Sequence, residues 1–108
     1  MSDLDDLLME EYERIRNRVR VIDDELEELP KGYLSKKRIK GNDYFYLQRR
    51  EGEKIVSMYI EEQKTNNMRT LINMRKELEK ERRTLLKDRI RLERILGVKN
   101  EEDNKKYD

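Results

Sequence analysis

The hydrophobic period of this chain changes at Pro30 and changes back after Ile60, and that double switch constrains the fold more than any other feature. Up to Leu29 apolar residues recur every three or four positions, from Gly32 to Ile60 they alternate, and beyond Ile60 the longer period returns. A period of 3.6 and a period of two belong to different elements. The chain must therefore read helix, sheet, helix.

The first helix is expected over residues 3–29, capped by Ser2 or Asp3. Its apolar positions, Leu4, Leu8, Tyr12, Ile15, Val19, Ile22, Leu26 and Leu29, follow a/d spacing over almost four heptads. Asp3, Asp5 and Asp6 suit the positive end of the helix dipole. Pro30 ends the helix, because the residue before a proline is pushed out of the α region.

Strands are expected at about 33–40, 43–50 and 53–60, joined by Gly41-Asn42 and Glu51-Gly52. Two-residue loops that contain glycine favour tight hairpins, so the stretch reads as a three-stranded antiparallel meander. Pairing Lys40 with Asp43 and Arg50 with Glu53 separates two faces. One gathers Leu34, Phe45, Leu47, Val56, Met58 and Ile60, with Lys36, Arg38, Arg49 and Lys54 on its margin, and should sit on the helix ends. The other gathers Tyr33, Lys37, Ile39, Tyr44, Tyr46, Gln48, Arg50, Ile55 and Tyr59 and should be exposed.

The second helix is expected over 61–96 and ends at Gly97. Leu71, Leu78, Leu85 and Leu92 repeat every seventh residue, with Arg75, Arg82 and Arg89 at the intervening seam positions. The fold class that results is mainly α: an antiparallel two-helix coiled-coil hairpin joined by a small β-meander, one domain over 1–98, with a disordered tail at 99–108. The first helix would span about 40 Å and the second about 54 Å, so the second should overhang. That overhang would leave Ile90, Leu92, Ile95 and Leu96 uncovered, which predicts a homo-oligomer, in the simplest case a dimer.

Composition excludes most chemistry. There is no cysteine or histidine, which removes disulfides, zinc sites and imidazole catalysis. Ser2, Ser35 and Ser57 have no candidate base, and no glycine-rich phosphate loop occurs. The acids Asp23, Asp24, Glu25, Glu27 and Glu28 read as a solvated or ion-pairing face rather than a metal site. No enzyme activity, cofactor or metal is expected. The acidic start MSDLDDLLMEEYER is neither a secretory signal nor a membrane span, so the expected location is the cytoplasm.

Charge is distributed unevenly. Residues 1–29 carry 11 acidic and 4 basic side chains, whereas residues 31–60 carry 3 and 8. A net charge of +1 thus conceals an acidic first helix and a basic meander. Cations beside flat aromatic rings are what a small sheet needs to hold nucleic acid, and Lys37, Arg50, Tyr33, Tyr44, Tyr46 and Tyr59 supply both, with Lys36 and Arg38 at the rim. The expected function is a binding module for DNA or RNA. The alternative is a coiled-coil scaffold or adaptor for a protein partner, in which the tyrosines are simply good strand formers.

The run LPKGYLSKKRIKGNDYFYLQRREGEKIVSMYI, followed by NMRKELEKERRTLLKDRIRLERIL, resembles a recurrent type of small bacterial and archaeal protein with an LPKG helix exit, a meander and a charged helix. The resemblance covers about residues 26–96 and implies an architecture without an activity. The meander also resembles the arm-type DNA-binding domains of tyrosine recombinases, which implies a sheet laid in the DNA major groove. The helix-hairpin-helix outline is similar to a prefoldin subunit, with Leu4, Leu7, Leu8 and Met9 in the place of its hydrophobic tip.

Overall fold

The computed structural model describes residues 3–98; Ser2, the alternative cap, and the tail 99–108 expected to be disordered lie outside the described residues. The elements are α1 (Asp3–Glu28), β1 (Tyr33–Ile39), β2 (Asn42–Glu51), β3 (Lys54–Ile60), a single 3-10 turn (Glu62–Lys64) and α2 (Thr65–Leu96). They fall into two compact units. One takes the chain up to Asp24 and from Glu79 onward, the other Glu25–Leu78.

In the first unit the buried side chains are Tyr12, Ile15, Val19 and Ile22 of α1 and Leu85, Arg89 and Leu92 of α2. Their spacing of three and four is the seam legible in the sequence. Three side-chain hydrogen bonds join the two helices: the Tyr12 hydroxyl donates to Glu93 Oε2 at 3.0 Å, Arg18 Nε to Glu81 at 2.7 Å and Arg82 Nε to Asp23 at 2.6 Å. Arg89, itself buried, pairs with Glu93 at 4.0 Å. The α2 helix ends in a Schellman arrangement, with Gly97 at φ 68° and the Val98 N–H donating to Glu93 O at 3.1 Å.

The expected overhang of the second helix does not occur. Leu92 is buried and Leu96 half-buried within the single chain, because α1 reaches Glu93 through Tyr12. Ile90 and Ile95 are exposed, but five residues of helix put them about 140° apart, so the four do not form one apolar set.

The extra length of α2 is used in the second unit. Ile72 forms a buried cluster with Leu47 and Ile60, against which Leu34, Phe45 and Met68 pack. This is the inner face expected from the alternation, although Met58 on the same face stays half exposed. The start of α2 at Thr65, rather than at residue 61, has a local cause. Glu61 is extended, and its carbonyl accepts the Lys64 N–H at 2.9 Å and the Thr65 hydroxyl at 3.1 Å, which closes the 3-10 turn first. At the other end of this unit Arg75 Nη1 donates to the carbonyls of Leu26 at 2.8 Å and Leu29 at 3.2 Å. It supplies the positive charge that the last turn of α1 lacks.

The sheet has the order β1-β2-β3, antiparallel throughout. Its turns are Lys40-Gly41 and Gly52-Glu53, each one residue away from the expected loop. Lys40 (φ 51°) and Gly41 (φ 84°) are both left-handed, the pattern of a I′ turn, while Gly52 (φ 62°) holds the first position of a II′ turn. The pairs are therefore Ile39 with Asn42 and Glu51 with Lys54. Relative to the expected pairing, each register slips by two residues. The slip sets Leu34 opposite Leu47 instead of Arg49, and Leu47 opposite Met58 instead of Val56, so the first pair becomes apolar and the second stays so. A slip of two preserves the parity of every side chain, so both faces keep the residues expected of them.

Candidate nucleic-acid interface

Because successive strand residues point to opposite faces, the side that carries Leu47 and Ile60 inward turns Tyr33, Lys37, Tyr44, Tyr46, Arg50 and Tyr59 outward together. Tyr33 and Tyr59 are each 53% exposed, Tyr44 and Tyr46 half-buried, and Lys37 and Arg50 exposed. Ile39 and Ile55 stand at the margins of the same face, both exposed. Lys36 and Arg38, expected at the rim, project from the opposite face. They stand opposite Phe45 and Asp43 respectively and do not join the patch.

The rings hold one another in place. Tyr46 and Tyr59 are cross-strand partners and meet edge to face at 5.8 Å, and Tyr44 approaches Tyr59 diagonally at 6.5 Å. The Lys37 ammonium sits 5.1 Å from the Tyr46 ring centroid, a cation–π contact that covers this ring and leaves the Tyr59 ring the more open. Beside Tyr33, Gln48 donates to the Ser57 hydroxyl at 3.2 Å. Arg50 lies six residues along β2 from Tyr44, the partner of Lys37, so the two cations bracket the aromatic cluster at about 20 Å.

The electrostatics are one-sided. The acids of the strands, Asp43 and Glu51, both belong to the inner face, where Glu51 pairs with Arg49 at 2.7 Å. Among the described residues, the outward face of the three strands carries cations and no carboxylate. Asn42, read as a loop residue from sequence, also belongs to this face as the partner of Ile39. The preference of a I′ turn for glycine at its second position was the signal that would have placed it there.

A family model described as "Domain of unknown function (DUF6788)" matches residues 12–70, more than half of the chain. The chain belongs to the DUF6788 family. The DUF6788 match begins at Tyr12 of α1, takes in all three strands and ends at Thr70, so the outward face lies wholly inside it. No curated protein and no solved structure matches the chain. Among the described residues, no group of three or more acidic side chains could hold a metal ion, and no helix is long and apolar enough to cross a membrane.

Proposed function

We propose that this DUF6788 chain is a nucleic-acid-binding module whose working surface is the outward face of the meander. One observation carries the reading: two cations and four tyrosines share a face from which every strand carboxylate is absent. Phosphates are attracted to Lys37 and Arg50, and the rings offer flat surfaces to bases or sugars. The helices, in this reading, pair as an antiparallel coiled coil and hold the sheet from its other side. Some of their charges engage each other, as in Arg18 with Glu81 and Arg82 with Asp23.

The test is fluorescence anisotropy of labelled DNA and RNA titrated with the full chain at several salt concentrations. Binding should weaken log-linearly with salt and be lost when Lys37→Ala and Arg50→Ala are combined. Wild-type affinity in that double variant, or no binding at low salt, contradicts the proposal.

A second reading has an observation of its own. Leu4 and Leu7, on an acidic stretch of α1, are 63% and 62% exposed. Under that reading the chain is a scaffold that holds a protein partner at the start of α1, and the anisotropy titration stays flat.

A further inference from the structure

Taking the outward face as a nucleic-acid interface, we infer that its ligand is single-stranded, with bases laid on Tyr33 and Tyr59 and the backbone anchored at Lys37 and Arg50. The two rings are the most exposed tyrosines of the face and stand on β1 and β3, two strands apart. That separation is about 10 Å across the sheet. Neighbouring bases in a duplex lie about 3.4 Å apart, and each covers the other's face. A duplex therefore cannot present bases to both rings. A strand whose bases are unstacked can.

Charge count leads to the same ligand. Duplex binders draw much of their affinity from many phosphate contacts, on the order of six to ten. This face offers two cations, at its ends, with rings between them. The centre of the face is also the wrong chemistry for groove reading. Tyr44, Tyr46 and Tyr59 gather there, whereas base edges in the major groove are read by extended donors and acceptors such as Arg50, which stands at the end of the face. The groove-inserted sheet implied by the likeness to recombinase arms would need those groups at the centre. Stacking on tyrosine is indifferent to base identity, so the preference should be for single strands as a class.

The experiment is anisotropy of the full chain with three probes of about twelve units, within the usual site size of single-strand binders: an oligothymidylate, an oligouridylate and a mixed-sequence duplex. At least one single-stranded probe should bind about ten-fold more tightly than the duplex. With two phosphate anchors, the slope of log affinity against log salt should be about −1.4. Tyr59→Leu and Tyr33→Leu should each lose about ten-fold, while Tyr59→Phe, which keeps the ring, should bind like the wild type. Circular dichroism checks that the variants fold, and the wild-type slope remains decisive if one does not. Duplex binding as tight as single-strand binding, or a slope several times steeper, overturns this inference and leaves the nucleic-acid reading standing. Absence of binding to all three probes overturns both.

Discussion

Gly32 shows how a single position can be fixed by an element far away in sequence. It has φ of 110°, and a Cβ built on it would lie 2.2 Å from the Gln48 carbonyl oxygen. Both the backbone conformation and the contact exclude a side chain. Gly41, with φ of 84° and nothing within 4 Å of such a Cβ, has only the first constraint. Gly32→Ala should therefore lower the unfolding free energy by about 3 kcal/mol and Gly41→Ala by about 1 kcal/mol, measured by urea denaturation. Equal losses would mean that the β1–β2 approach is looser than described. That glycines mark the corners of the meander was legible in the sequence. Which corner is sterically closed was not, because it depends on the register that brings Gln48 alongside.

At the scale of elements, parity was easier to read than register. Alternation assigned each strand residue to a face, and a slip of two residues could not disturb that assignment. The slip itself was set by turn chemistry and by the Leu34–Leu47–Met58 row, which loop length alone does not specify. The helices had a similar limit. Heptad spacing identified the seam, but the surplus length of α2 was assigned to the wrong end, since Ile72 and Met68 pack against the sheet. The seam arginines also had a use that periodicity could not reveal: Arg75 serves the end of α1, Arg82 meets Asp23 and Arg89 meets Glu93.

The Tyr12–Glu93 contact between α1 and α2 carries its own pH dependence. Burial, reinforced by the hydrogen bond to Glu93, raises the Tyr12 phenol above its ordinary value of 10.0. A raised folded-state value means that the contribution is complete below pH 10 and is lost as pH rises through the folded value. Alkaline melts should show this loss, and Tyr12→Phe should remove it at a cost of about 1 kcal/mol at neutral pH. An unchanged alkaline profile in Tyr12→Phe would mean that the Tyr12–Glu93 contact does not hold the helices together.

For the whole molecule, charge sorts by element. The α1 helix is acidic, its partners on α2 include Arg82, and the meander is basic with its strand acids, Asp43 and Glu51, on the inner face. A net charge of +1 would not by itself suggest a polyanion as ligand. The segregation does, and it was legible from residue counts once the sheet faces had been separated. Alternation along β1 already separates Lys36 and Arg38 from Tyr33 and Lys37, and the strand pairing keeps them on the inner face. The most direct test of the central claim is amide chemical-shift mapping of the isotope-labelled full chain, titrated with a short single-stranded oligonucleotide. The account predicts perturbations concentrated in residues 33–39, 42–51 and 54–60, strongest near Tyr33, Lys37, Arg50 and Tyr59. Perturbations confined to α1 and α2, or none at saturating oligonucleotide, would contradict it.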